Sequence, residues 1–427
     1  MSGQDEKGIE MAKKADGKSE EKKLDDKPLQ DASAPGIFIP DIPLPAEDAG
    51  ERDIVEDECD AAFKLAFVGT GQGGARMAEA FYALGYRRVC AVNTTEKDLV
   101  HIKIPDENKL VMDIGEDGAG KDPQKGEAAV KEYYEDVYDL MRRSFGRDFE
   151  RIIVCAGAGG GTGSGSVQSI IKIAHDIAES FRLEGAGQPP AVGALVSMPM
   201  KSEGQKVNAN AHDVLSGLFG LVGKGQVPGK LAGRTLSPLI VVDNDRINEM
   251  YPGLPVTQFY GVANQSISGL FHLFNNIATR DSELTTFDKA DLADVLKSGV
   301  VTFGATYLKE WMKPTDISYA VRDNLKRNIL VADIDLRVAE AAACVVVGHE
   351  SVLDVVPQEN LEHGFEMLSR IMQENSVVHR GIYKGPVADR QGKPTMVVYT
   401  ILGELGIPQE RMDEIARIGK KGQQPGR

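Results

Sequence analysis

From Phe63 onward, short continuous apolar runs alternate with longer stretches of helical periodicity. Residues 64–68 predict a buried strand ending in glycines, 75–84 a helix and 88–92 a second strand. A helix is expected over 128–144, a strand over 151–156, a helix over 166–181, and strands over 191–196 and 239–242. Strands apolar on both faces and separated by helices specify a parallel sheet covered on both sides. Residues 257–280 then read as one long helix without proline. Further strands are expected at 300–303, 343–347, 376–379 and 395–399, with helices at 317–325 and 360–373, which makes a second, smaller α/β domain.

The first 60 residues lack this pattern. Up to Glu58 there are seventeen acidic against eight basic side chains, and such a segment buries too little apolar area to offset its ordering entropy. It is expected to be a disordered acidic tail. Its one apolar island, residues 36–45, is either a sticky patch in a linker or a docking peptide for an accessory protein or for the chain's own body. Residues 220–235, rich in Gly, Lys and Arg, read as a mobile surface loop, and the basic end of the chain as frayed. The expected organisation is an acidic tail over 1–60, a nucleotide-binding domain over 61–255, a central helix over 256–283, a C-terminal α/β domain over 284–408 and a flexible basic tail over 409–427.

Composition narrows the function classes. A net charge of −15 argues against unaided binding to nucleic acid or an anionic membrane. Four scattered cysteines suggest neither a disulfide framework nor a zinc site, and fit a reducing cytoplasm. No run approaches the roughly 18 apolar residues of a membrane span. With 46 glycines, many backbone positions are open to close approach by a ligand.

Two glycine loops carry the chemistry. Gly69-Thr70-Gly71-Gln72-Gly73-Gly74 lies between a strand and a helix and fits G-x-G-x-x-G, where bare N–H groups and a helix N-terminus receive phosphate. A dinucleotide-binding dehydrogenase is its rival, but that fold expects an acid at the end of the second strand, where this chain has Asn93-Thr94. The second cluster, Gly157 to Gly165, interleaves glycines with Thr162 and Ser164 and opens a helix. It is suited to enclosing a polyphosphate and is no Walker loop, because no Lys-Ser/Thr follows.

The run Gly159-Gly160-Gly161-Thr162-Gly163-Ser164-Gly165 resembles the signature loop of the tubulin/FtsZ superfamily, including its archaeal CetZ branch. The other loops agree in order. Gly69 to Gly74 resembles the family's first phosphate loop, with Gln72 in the tubulin and CetZ form, and Ala91-Val92-Asn93-Thr94 its second. Gly118-Ala119-Gly120-Lys121-Asp122-Pro123 resembles the third, which in the family senses the γ-phosphate. Met198-Pro199 with Glu203-Gly204 resembles the ribose-contacting loop, and Val242-Asp243-Asn244-Asp245 the strand end before the central helix. The resemblance runs over residues 64–404. It implies a Rossmann-like GTP-binding domain, a long central helix and a smaller α/β domain. GTP or GDP, with Mg2+ accompanying it, would be held by Gly71, Gln72, Gly73, Gly74, Asn93, Gly118, Ala119, Gly120, Gly159, Gly160, Gly161, Thr162, Gly163, Ser164 and Glu203.

Base recognition has its own physical argument. Tyr260 and Asn264, four apart, share one face of the long helix. A Tyr ring stacks on a purine, and an Asn amide matches the donor and acceptor edge of guanine. The family places guanine at these positions.

Asp288, Asp291 and Asp294 crowd one helical face, which fits either water activation at a γ-phosphate or an ordinary acidic helix start. The segment resembles the family's catalytic loop N-x-D-x-x-D, which reaches the nucleotide of the next subunit; Asp291 and Asp294 match its acids. Lys289 departs from the expected Asn and either holds a phosphate oxygen or marks weakened hydrolysis. Arg76 and Val207 replace a common FtsZ Asn and Arg, with Lys206 beside the latter. An FtsZ-type C-terminal partner peptide is not legible, and a loosely similar Asp41-Ile42-Pro43 lies near the N-terminus. The resemblance implies a cytoplasmic GTPase that polymerises head to tail with copies of itself. The alternative is a nucleotide-binding regulator or scaffold with little hydrolysis or polymerisation.

Overall fold

The structure, a computed structural model, describes residues 58–420 except 116, 185–187, 223–233, 298, 327, 329–333, 373, 375 and 390. The expectations for the acidic tail up to residue 57, the 36–45 segment, most of the 220–235 loop and the last seven residues lie outside the described residues.

The first half runs β1 (Leu65–Thr70), α1 (Gly71–Ala83), β2 (Val89–Asn93), α2 (Glu96–Leu99), β3 (Lys109–Val111), α3 (Pro123–Glu132), α4 (Tyr134–Phe145), β4 (Arg151–Gly157), α5 (Thr162–Leu183), β5 (Ala191–Met198), α6 (Gln205–Phe219) and β6 (Leu239–Asp243). The second half continues with α7 (Asn244–Met250), α8 (Val256–Ile277), α9 (Lys289–Val295), β7 (Val300–Tyr307), α10 (Pro314–Lys326), β8 (Ala341–Gly348), α11 (Glu350–Leu353), α12 (Gln358–Ile371), β9 (Val377–Lys384), β10 (Met396–Leu405) and α13 (Gln409–Lys420).

The strands form one sheet in the order β3-β2-β1-β4-β5-β6-β7-β10-β8-β9. All pairings from β3 to β7 are parallel, and β10 runs antiparallel between β7 and β8. The two halves are stitched through two rungs, Leu239 to Val300 and Ile240 to Val301. Each central strand feeds two cores: on β4, Ile152, Val154 and Ala156 face one, while Ile153 and Cys155 face the other. That double burial is why the strands read as unbroken apolar runs.

Three expectations need correction. The single helix over 128–144 is two, because the chain turns at Tyr133 (φ −95°, ψ 24°). The turn lets α3 lie against α5 at glycine contacts: a Cβ on Gly165 would sit 1.9 Å from the Pro123 carbonyl oxygen. The amphipathic α4 meanwhile buries Val137, Leu140, Met141 and Phe145.

The tail does not extend to residue 60. The Cys59 amide donates to Gly85 O at 3.1 Å, and the Asn276 amide to Asp60 O at 2.9 Å. Residues 409–420 are no flexible tail but the helix α13. It packs on α6 and buries Met412, Ile415 and the Arg411 side chain, which pairs with Asp243 (3.0 Å), Asp245 (2.7 Å) and Glu414 (3.1 Å). Burial opposes the charge on Arg411, but these three carboxylates outweigh it and hold the guanidinium above its ordinary range. No described helix is long and apolar enough to cross a membrane.

Candidate functional site

In open parallel sheets, ligands settle beyond the carboxyl ends of the strands where the strand order reverses. Here that point lies between β1 and β4, since the chain moves from β1 outward to β2 and β3 and returns through β4. The glycine loops follow these two strands. Gly71 has φ +68°, and a Cβ there would stand 2.7 Å from the Gly163 amide nitrogen. A Cβ on Gly74 would strike the Cys155 carbonyl oxygen at 2.1 Å. The two loops therefore touch backbone to backbone, which no residue with a side chain permits.

The third loop closes against them. A Cβ on Gly161 would meet Ala119 Cβ and Asp122 N, each at 2.8 Å. Hydroxyls pin the layers: Thr70 Oγ1 lies 2.5 Å from Ser166 Oγ, and Thr94 Oγ1 lies 2.7 Å from Thr162 Oγ1 and accepts the Ala119 amide at 3.2 Å. Asn210 of α6 donates to Lys121 O (3.1 Å) and Gly159 O (3.3 Å), tying the third loop to the signature loop. Gly118 and Gly120 take the positive φ values their turn requires. At Gly160, by contrast, no atom lies within 4 Å of a Cβ position, so the loop tip faces open space.

Helices α3, α7 and α9 are capped by their own Asp122, Asp243 and Asp288. No side chain caps α1 or α5, the helices that open from the two glycine loops. Their first amides are left for an anion. Gln72, Gly73, Gly74, Thr162, Gly163 and Ser164 all lie in these first turns, and the Ser164 hydroxyl donates back to Gly160 O.

Asn93 is already engaged: its Oδ1 accepts the Thr94 amide, and its Nδ2 donates to Asp98, whose other oxygen accepts from Gln72 Nε2 at 3.1 Å. Glu203 accepts the Met200 amide at 2.9 Å. Burial, then the Glu203 carboxylate, push the Tyr260 phenol up, and the Arg76 guanidinium pulls it partly back. These three side chains therefore share one neighbourhood at the start of α8. Half-buried Asn264 has no hydrogen-bond partner among the described residues. Val207 packs under the signature loop, where its Cγ1 would lie 2.4 Å from a Cβ on Gly159. The glycine cradle, two uncapped helix starts and a half-buried Tyr with an unpartnered amide suit a purine nucleotide polyphosphate.

Asp291 and Asp294 are not brought to this site. Helix α9 precedes β7, at the edge where the parallel strands begin. Arg151 at the start of β4 reaches Leu296 O at 3.4 Å, and a Cβ on Gly403 would lie 2.2 Å from Val295 O. A strand of six to eight residues separates the two edges by roughly 20–25 Å.

At the second edge Lys289 pairs with Glu150 at 2.6 Å and lies over the Phe63 ring, 4.9 Å from its centroid. Asp288 caps α9 and takes the Ala290 and Asp291 amides. His379 of β9 stands between the two acids, with Nδ1 2.7 Å from Asp291 Oδ1 and Nε2 3.1 Å from Asp294 Oδ2. Sequence reasoning missed Asn210, Arg411 and His379, which act across long sequence separations and leave no local signal, and Asp98, which bridges Asn93 and Gln72.

Comparison with known proteins agrees with this fold. Residues 64–218 match the family model described as the Tubulin/FtsZ family, GTPase domain, and residues 274–415 match the C-terminal domain of the Tubulin/FtsZ-like protein TubZ-like. The chain is 29% identical to the cell division protein FtsZ of Haloferax mediterranei over 71% of its own length and 75% of the relative's. It is 23% identical to the tubulin-like protein TubZ of Bacillus cereus over 88% of each. Among solved structures, it is similar in fold to a GTPγS-form protofilament of Bacillus thuringiensis serovar israelensis TubZ (TM-score 0.69, 20% identity, 85% of this chain and 92% of that one). It is also similar to a GTPγS-bound protofilament of CetZ2 from Haloferax volcanii (TM-score 0.62, 18% identity, 83% and 97%).

Proposed function

The chain belongs to the tubulin/FtsZ family, and from that premise we propose that it is a GTPase that assembles head to tail, each subunit completing the nucleotide site of the next. Members of this family are GTP-binding proteins that form cytoskeletal filaments. In this reading the amides at the starts of α1 and α5 take the phosphates, with Gly118, Ala119 and Gly120 closing over the terminal one. Tyr260 stacks on the base, Asn264 reads its guanine edge, and Glu203 turns toward the ribose. Mg2+ carried by the nucleotide would offset the charge of its phosphates.

Asp291 and Asp294 of the adjoining subunit orient the attacking water. The observation that carries this reading is the placement of the two groups on opposite edges of one sheet. A single chain keeps them roughly 20–25 Å apart. Head-to-tail stacking sets one edge on the other, and a contact of that kind grows into an open filament.

The test is GTP turnover per subunit over a wide range of protein concentration, with light scattering followed in the same sample. Specific activity that rises above a critical concentration together with GTP-dependent scattering is the expected result. Tight GTP binding with flat, negligible turnover and no scattering would replace it with the regulator reading.

A further inference from the structure

The acids on α9 have a partner that no sequence motif supplies. His379 is the third rung of β9, opposite Ala343 of β8, and its ring reaches both Asp291 and Asp294. The ring is the most covered of the three side chains, at 15% exposure against 26% for Asp291 and 38% for Asp294. The acids are thus gripped from behind and open outward. Asp291 is held twice, because its Oδ2 also accepts the Asp288 amide at 3.1 Å. Asp294 borders a cleft of about 380 Å³ lined also by Lys297, Glu340 and Glu404.

We propose that His379 is a positioning residue that clamps Asp291 and Asp294 into a single unit for the neighbouring subunit's phosphates. A neutral imidazole carries one N–H, whereas both ring nitrogens here face carboxylate oxygens, which only accept when ionised. The doubly protonated ring satisfies both contacts at once. It also cancels one of two like charges on an edge that must approach a polyphosphate. Without it, two carboxylates crowd one face of a seven-residue helix, and Asp294 also shares its cleft with Glu340, Glu404 and the cation Lys297.

Two consequences follow. The clamp fixes the distance and orientation of the acids, so turnover per assembled subunit depends on His379 while nucleotide affinity, set at the other edge, does not. The cancelled charge eases docking, so loss of the ring raises the critical concentration most at low salt, where repulsion is least screened. This inference rests on the reading of Asp291 and Asp294 as acids that complete the neighbour's site.

The experiment compares full-length wild type, His379→Gln, His379→Ala, Asp291→Asn and Asp294→Asn for GTP affinity, critical concentration and turnover per polymerised subunit, with and without added imidazole. His379→Ala is expected to keep wild-type GTP affinity, lose about 30-fold in kcat with KM unchanged within twofold, and regain part of it with imidazole. His379→Gln, which keeps amide donors but no charge, should fall between. Nitrogen NMR of the wild-type subunit should find both His379 ring nitrogens protonated, and this signature should vanish in Asp291→Asn/Asp294→Asn.

Wild-type kcat in His379→Ala while the Asp variants are dead would overturn the clamp and leave the shared site standing. Asp variants that turn over GTP normally would remove the shared site itself. If His379→Ala misfolds, a ring that is neutral in the wild-type NMR spectrum overturns the proposal by itself.

Discussion

The two edges of the sheet are built from different materials. Where the parallel strands end, the backbone does the work: glycines in direct contact, uncapped helix starts and a few hydroxyls between layers. Where they begin, side chains do it: two carboxylates, a histidine behind them, and a lysine paired with a glutamate. An edge made of backbone leaves a long signature, because every close contact demands a glycine at a fixed position. An edge made of side chains leaves a short one, since most of its organisation comes from residues distant in sequence. Helix α8 spans about 33 Å between them, with Tyr260 near one end and Asn275, which bonds Phe63 at 2.8 and 3.0 Å, near the other.

The largest effects should come from filling the backbone edge. Gly161→Ala places a methyl group 2.8 Å from Ala119 Cβ and Asp122 N, too close for either to stay. The third loop must shift, and GTP affinity should fall at least ~100-fold, equivalent to about 2.7 kcal/mol. Gly160→Ala is its control, because nothing lies within 4 Å of the added carbon. Its stability should stay within ~0.5 kcal/mol of wild type by thermal melting, while GTP binding weakens as the methyl enters the phosphate space. Equal losses of stability in the two variants would mean that the glycines serve folding and not the ligand.

Comparable in size, but read in turnover instead of affinity, is the opposite edge. Asp294→Asn should lower turnover by ~10²–10⁴-fold with GTP affinity unchanged within twofold. A parallel loss of affinity would break the division of labour between edges. Smaller again is Asn210→Ala. The amide donates to Lys121 O and Gly159 O, so its loss should cost about 1–2 kcal/mol of GTP binding, measured by titration calorimetry. Asn210→Asp should be worse, since a carboxylate would face both carbonyl oxygens.

Much of this was legible in the sequence, and the remainder divides along the same line. The central strands were visible because burial on both faces makes them continuous apolar runs, and the nucleotide loops because their glycines are contiguous. Helix α6 was not, since buried Asn208 and Asn210 interrupt its apolar spacing. Helix α13 read as a basic tail because Arg411 is buried through three carboxylates rather than apolar contact. The insertion of β10 between β7 and β8 is a pairing across the whole second half, which no local pattern encodes. His379 was invisible for the same reason, lying 85 positions from the Asp294 it holds.

Lys289 gives the smallest expected effect and the sharpest test of the side-chain edge. Its position suggested either a phosphate ligand or a mark of weak hydrolysis; in the folded subunit it is held by Glu150 and Phe63. Both charged partners are more than a third exposed, at 47% and 42%, so water screens the pair and it contributes at most ~0.5–1 kcal/mol. Lys289→Asn should therefore melt close to wild type and, if the lysine stays on its own chain in the filament, turn over GTP within about threefold of it. A loss beyond tenfold would mean that Lys289 leaves Glu150 on assembly and reaches the neighbour's phosphates. Glu150→Gln separates the two cases further. It should be silent if the lysine is a tether, and should raise turnover or lower the critical concentration if the pairing restrains a phosphate ligand.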